Sequence, residues 1–379
     1  MNIKLNTALL IISCFFSISL YADENENTQE NKTARLIFTG DIMTHTINIA
    51  GKADGKYNML NEVEQYLKGD IIFGNLEFVV DTRKGPMKYP RFNGTREYLE
   101  HFTKHFNLFS VANNHFYDQG PRGADNTIEI LKQNNVSYTG GSCESPDIKP
   151  FVADIKGTAI AISAYTMLDN GLSGVKERKG YKYYMNYYPT HKALLQKIRK
   201  DFENIPGNTV KIVSLHYGQE WTTKPEKKSI KYAREIINSG IDIFIGHHPH
   251  ILRPVEFYNG KDNKGVIFYS LGNFFSVHKY GHKNTDIGCI VTITVDKEKK
   301  YTIDLQPTYT YRYKLGAVRP SRVIPLHFDK ENKTFKEYFA SFRKFDRDKM
   351  KNGYKLFKKL FEPALRNNSV KKPVRTASP

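Results

Sequence analysis

The 379-residue chain has only three cysteines and a single tryptophan. So few thiols exclude a disulfide scaffold and a cysteine-rich zinc fold. Acidic residues are scarce too: 39 Asp and Glu stand against 57 Lys and Arg, a formal charge of +18. That balance favours polyanionic neighbours such as a phosphorylated substrate, an acidic polymer or an anionic membrane surface. Beyond the first two dozen residues no apolar run approaches the roughly 20 residues of a membrane-spanning helix, and no repeat of fixed period is visible. No nucleic-acid motif accompanies the basic charge, so no nucleic-acid partner is expected. With 40% hydrophobic and 25% charged residues, what is there is a globular composition.

The start of the chain reads as a processing segment. Lys4 precedes an apolar run from Ala8 to Ala22, and Asp23, Glu24, Asn25 and Glu26 follow at once. This is the pattern of a secretory signal over residues 1–22, cleaved after Ala22, with an uncleaved N-terminal anchor or a lipoprotein site at Cys14 as alternatives. The expected location is therefore the periplasm or cell envelope. Residues 23–33 form a polar linker. Cys143 and Cys289 would remain, either paired or as two lone buried thiols.

The body alternates short β-branched runs with helical patterns. Arg35–Thr39, Asp70–Phe73, Leu108–Ala112, Ala159–Ala164, Val210–Leu215, Ile241–Ile245 and Val266–Ser270 read as strands buried on both faces. Apolar residues three and four apart predict helices over Tyr98–Phe106, Asn126–Lys132, Ala193–Phe202 and Ile230–Ile237. Such alternation predicts an α/β sheet sandwich or doubly wound domain, the main domain spanning 34–325. Residues 326–366 read as a basic amphipathic helical extension broken near Asn352–Gly353, and 367–379 as a disordered basic tail. Ser341 to Pro379 alone carries twelve Lys or Arg against three acids.

The chemically distinctive residues fall at strand ends: Asp41, Glu77, Asn114, His216, His248 and His250. In an open α/β sheet the carboxyl ends of parallel strands share an edge where ligands bind. Carboxylates, an amide and imidazoles without thiolate suit Zn, Mn or Fe. The number of donors suits two divalent ions about 3.5–4 Å apart with a bridging carboxylate, which would clamp a phosphoryl oxygen. Pro249 should stiffen the His248–His250 turn, His247 should face the other way, and Gly74 and Gly246 should let the backbone turn sharply. Tyr217 and Trp221, near His216, are expected in the core, with walling of the pocket as the alternative.

The ordered set GDIM, GNLE, VANNHFYDQG, SLHYGQEW, IGHHPHILRPVE and YSLGNFF, with PRFNGT at Pro90–Thr95, resembles the CapA (PgsA-type) capsule-synthesis family. That family is named for a role in making poly-γ-glutamate capsule and is similar in fold to calcineurin-like metallophosphoesterases. The resemblance implies a four-layer αββα core with metals at the strand ends. It implies Asp41 and His250 on one ion, Glu77 bridging, and Asn114, His216 and His248 on the other. His45 is a further metal candidate, although it lies four residues after Asp41 where phosphoesterases have Asp-x-His. His115 would act as general acid, with Asp118 orienting it. The expected partners are an anionic polymer or phosphorylated substrate and membrane polymer-synthase subunits. A non-catalytic accessory subunit of such a synthase is the alternative.

Overall fold

The computed structural model describes residues 32–171, 177–178, 181–276, 283–326, 333–366 and 370–371. The expected signal segment, nearly all of the linker, Cys14 and all of the basic tail except 370–371 lie outside the described residues. In chain order the strands are β1 (Ala34–Ile42), β2 (Ile71–Leu76), β3 (Leu108–Ser110), β4 (Ser137–Thr139), β5 (Gly141–Ser142), β6 (Phe151–Ile155), β7 (Thr158–Thr166), β8 (Glu177–Arg178), β9 (Tyr181–Lys182), β10 (Tyr184–Met185), β11 (Val210–His216), β12 (Ile243–His247), β13 (Val255–Asn259), β14 (Lys264–Phe268), β15 (Asn273–Phe275), β16 (Ile287–Val295), β17 (Tyr301–Arg312), β18 (Ser321–Pro325) and β19 (Val370–Lys371).

Two large mixed sheets form. One runs β18-β17-β16-β1-β2-β3-β4, with β15 also paired to β1 and β19 to β17; the other runs β13-β14-β12-β11-β7-β6. The β1–β4 set is parallel, as is the β14-β12-β11-β7 set, and antiparallel strands flank both. The parallel strands β1, β2, β3, β7, β11, β12 and β14 carry apolar side chains on both faces, because both faces are covered. Leu36 and Phe38 of β1 pack with Ile212, Ile245 and Phe268 between the sheets. Ile37, between them in sequence, turns outward onto Leu99 and Phe102 of helix Arg96–Thr103 and Ile128 and Leu131 of helix Gly120–Gln133. Val213, Phe244 and Ile267 face helices His191–Phe202 and Lys227–Asn238 on the far side. The result is a helix–sheet–sheet–helix sandwich. Two of these helices start on threonine caps, with Thr95 Oγ1 accepting from Tyr98 N and Thr190 Oγ1 from Ala193 N.

The C-terminal extension is part of the body. Helix Lys344–Leu365 follows helix Lys333–Ala340 and buries Met350, Phe357, Leu360 and Phe361 in the inter-sheet core. It is tied down by Tyr309 Oη donating to Asp346 at 2.9 Å and by Lys349 on Asp286 at 2.6 Å. The expected break near Asn352–Gly353 is absent. A Cβ at Gly353 would lie 2.2 Å from Ile287 Cδ1, so this glycine permits close helix–strand packing within an unbroken helix. The two helices part instead at Ser341–Arg343. Gly74 and Gly246 are corrected likewise: they lie within β2 and β12, where a Cβ would come within 2.7 Å of Ile42 Cδ1 and 2.3 Å of the Tyr269 carbonyl oxygen, so close approach rather than turning requires them.

Cys143 and Cys289 are unpaired thiols, in the outer-helix layer and the inter-sheet core respectively. Among the described residues no helix is long and apolar enough to cross a membrane.

Candidate metal centre

The carboxyl ends of parallel strands from both sheets meet at one edge of the sandwich. Asp41 comes from β1, Glu77 follows β2 and Asn114 follows β3; His216 ends β11, and His248 and His250 follow β12. The neighbourhood is therefore built across two sheets, not along a single one. Asp41 sits where the β1 register shifts against both β2 and β15, an irregularity of the kind that re-aims a side chain at a site. His248 and His250 both have positive φ, 90° and 57°. That left-handed backbone is costly for a side chain with a Cβ. It is held here by His248 N donating to Asp41 Oδ2 at 3.2 Å and by Trp221 N donating to the Pro249 carbonyl at 3.0 Å. Pro249 thus sits in a fixed turn that aims two imidazoles inward.

Donor atoms converge in three overlapping sets, each within 4.8 Å: Asp41 with Glu77 and His250; Glu77 with His216 and His248; and Glu220 with His248 and His250. Glu77 belongs to the first two. Its Oε1 lies 3.7 Å from Nε2 of both His216 and His250. Asn114 Oδ1 is 2.7 Å from His216 Nε2. Five of the six strand-end residues thus fall in these sets, and Asn114 hydrogen-bonds to one member. His45 is outside them. Its ring lies edge-on to Phe92 at 5.2 Å, with Nε2 3.4 Å from Ser276 Oγ. His115 Nδ1 is 2.7 Å from Asp118 Oδ2, which also accepts from Phe92 N at 2.6 Å.

Four supporting residues escaped the sequence reading. His247, expected to face away, reaches Asp41 Oδ1 through Nδ1 at 3.1 Å, because alternation along β12 turns it into the inter-sheet space with Ile243 and Ile245. Asn75 donates to Asp41 Oδ1 at 2.9 Å and lies 3.2 Å from His216 Nδ1; Asn273 Oδ1 lies 3.0 Å from His250 Nδ1. Both stand inside motifs already singled out, GNLE and SLGNFF. Glu220 stands in SLHYGQEW, two residues past Gly218, in a loop clamped by the fully buried Arg253. That guanidinium donates to the carbonyls of Gln219 and Thr222 and to the Glu226 carboxylate at 2.7, 2.9 and 3.0 Å. Tyr217 is buried as expected, but Trp221 is 45% exposed beside Glu220, at the rim instead of in the core.

The electrostatics are those of closely packed buried donors, some without a hydrogen-bond partner. Both oxygens of Glu77 and Nδ1 of His248 are buried without a hydrogen-bond partner. Burial, with Asp41 adding to it, lifts Glu77 well above the usual carboxylate range against the pull of His250. His250 is pushed up to about 10: burial opposes its charge, but the Glu77 and Asp41 carboxylates beside it prevail. Asp41 is held well below its ordinary value, burial being outweighed by hydrogen bonds from His247 and His250. Burial and then the charge at His250 lower His248 to about 3 and His45 to about 4; burial and then His248 lower His216. A proton on His250 thus provides positive charge between two carboxylates. Buried carboxylate oxygens with no donor are costly and rare. The donor set of carboxylates, imidazoles and an amide, without sulfur, fits a hard-to-borderline divalent cation.

A two-sheet αββα sandwich with such a cradle at its strand ends defines a metallophosphoesterase-like fold. The chain belongs to the family described as "Bacterial capsule synthesis protein PGA_cap", which matches residues 35–278. It is 30% identical over 258 residues to the capsule biosynthesis protein CapA of Bacillus anthracis, covering 65% of this chain and 60% of that protein. It is 27% identical over 244 residues to the PGA biosynthesis protein CapA of Bacillus subtilis, covering 62% of each. A probable polyglutamine synthesis accessory protein of Mycobacterium tuberculosis is 24% identical over 172 residues, 43% of each chain. The matched segment thus spans about 60% of the length of the two Bacillus relatives.

Proposed function

We propose that this protein is an exported, CapA-like metal-dependent hydrolase. It would support synthesis or export of an anionic surface polymer of the poly-γ-glutamate type by cleaving a phosphoester or a polymer linkage. The observation that carries the reading is Glu77, a fully buried carboxylate whose two oxygens lack any donor and whose Oε1 lies 3.7 Å from imidazoles of both halves of the cradle. Asp41, Glu77 and His250 would hold one divalent ion, and Glu77, His216, His248 and Asn114 the other. Bound there, Mn, Fe or Zn supplies Lewis-acid polarisation of a phosphoryl or carbonyl oxygen.

The rest is done by side chains. Asp118 fixes the His115 ring through Nδ1 and leaves Nε2 as the atom that exchanges a proton with the leaving oxygen. Burial raises Asp118 against the hydrogen bond from His115, and Phe92 N holds the same oxygen, so the pair cannot swing away. Asn75, His247 and Asn273 orient Asp41, His216 and His250 by hydrogen bonds, the arrangement that sets ligand geometry in metal sites. The test is hydrolysis of an aryl phosphodiester and of γ-linked glutamate oligomers by wild type and His115→Ala. A loss of about 100-fold or more with unchanged metal content supports the reading; equal rates contradict it.

The accessory name of the mycobacterial relative favours a second reading, a non-catalytic subunit of a membrane polymer synthase. Deleting the C-terminal helix would not test it cleanly, because Phe357 and Phe361 are core residues. Charge reversal at exposed Lys351, Lys355 and Lys358 would. Polymer output lost in this variant but kept in His115→Ala would favour the accessory role.

A further inference from the structure

A cavity of about 190 Å³ opens beside the metal centre, and its lining includes Tyr89, Arg91, Asn114, His115, Asp118 and Glu220. Arg91 is the only permanent cation among these lining residues. Its guanidinium acts on Asp118 through space, yet it forms no ion pair with any described carboxylate. The segment that presents it is firmly held. Phe92 is buried, its N–H donates to Asp118, its carbonyl accepts from Gln119 Nε2 at 3.0 Å, and its ring packs on His115 with centroids 4.5 Å apart. Asn93 is fully buried and bonded to Asp81 N at 2.7 Å and to the Gly85 carbonyl at 3.0 Å. The backbone next to Arg91 is therefore fixed at the cavity, and Arg91 extends from it as an exposed side chain. Asn170, also in the lining, accepts through Oδ1 from Asn114 Nδ2 at 3.1 Å, which ties the cavity to the metal cradle.

We propose that Arg91 is the substrate-recognition residue of this site, receiving an oxyanion of the substrate, a carboxylate or phosphate, that flanks the scissile group. This deepens the hydrolase reading and rests on it. A planar guanidinium accepts either oxyanion in a two-point grip that an ammonium cannot copy. The grip lies on the His115 side of the cavity, so a ligand spanning it places its next bond beside the proton-exchanging ring.

The test is calorimetric binding of two probes, a γ-linked glutamate trimer and inorganic phosphate, to full-length protein as purified and after chelation. Wild type is expected to bind at least one probe saturably in both states. Arg91→Gln should weaken that binding about tenfold or more, Arg91→Lys should recover part of it, and bound metal should be unchanged in both variants. Preference for the trimer identifies a carboxylate, and preference for phosphate a phosphoryl group. Undiminished binding by Arg91→Gln, or no saturable binding of either probe by wild type, overturns the proposal. Arg91-dependent binding in a protein that takes up no metal would sink the hydrolase reading and leave the anion subsite standing.

Discussion

Replacing Glu77 by glutamine should make the metal-free protein more stable and the metal-loaded protein less so. The carboxylate is fully buried, neither oxygen has a donor, and its pKa is raised by burial. An unpartnered buried polar group costs about 1–3 kcal/mol. The amide still buries polar atoms, so the relief lies near the lower end, about 1 kcal/mol. The sign with pH follows from linkage. A carboxyl group raised in the native state contributes most to stability below its ordinary value of 4.5 and loses that contribution as pH rises. The advantage of Glu77→Gln is therefore present at neutral pH and shrinks as pH falls towards 4.5. Metal reverses the order. An ion at a hundred times its Kd stabilises the native state by about 2.7 kcal/mol, and the variant forfeits most of that with the shared carboxylate. The assay is urea unfolding of both proteins in chelator and in Mn or Zn. Crossing stability orders are predicted. A variant less stable in chelator, or a wild type that gains nothing from metal, would refute the reasoning.

Three further outcomes are expected. Arg253→Met removes the clamp on the loop carrying Glu220 and leaves the partly exposed Glu226 carboxylate with Ser229 Oγ alone; loss of about 3 kcal/mol in urea unfolding checks it, and a shift under about 1 kcal/mol speaks against a clamp. His250, protonated up to about 10 in the metal-free state, must release that proton to a metal. Apparent affinity should thus rise with pH between about pH 6 and about pH 8, by up to tenfold per unit, and calorimetry in buffers of different ionisation enthalpy should show proton release. Burial and the neighbouring Asp125 push the Cys143 thiol up to about 12, and burial raises Cys289 as well; Cys143 and Cys289 of the native protein should resist iodoacetamide at neutral pH, and both should react in urea-unfolded protein.

The parallel strands were legible because strands covered on both faces must be mostly apolar, as IIF of β2 and IFI of β12 are. The αββα layering came from the family resemblance, since periodicity alone does not distinguish one doubly wound sheet from two packed sheets. The antiparallel strands β16, β17 and β18 were missed by a reading tuned to strand–helix alternation, although the alternating run VTITV is present in β16. Five metal-type side chains were found because strand ends of parallel sheets collect them. His247 was misjudged because alternation was applied from His248, whose left-handed backbone resets the facing of the residues around it. Glu220 gave no local signal: its approach to His248 and His250 at 3.9 and 3.8 Å depends on the buried Arg253 more than thirty residues away. Gly353 reads as a breaker in sequence because its packing partner, Ile287, is remote.

Metal analysis of the freshly purified protein bears most directly on the cradle. Elemental analysis, repeated after chelation and reconstitution with Mn, Fe or Zn, should find two ions per wild-type chain and a marked deficit in Glu77→Gln. A wild-type chain that retains and takes up no divalent ion would contradict the account, and a single ion unaffected by Glu77→Gln would contradict the shared carboxylate.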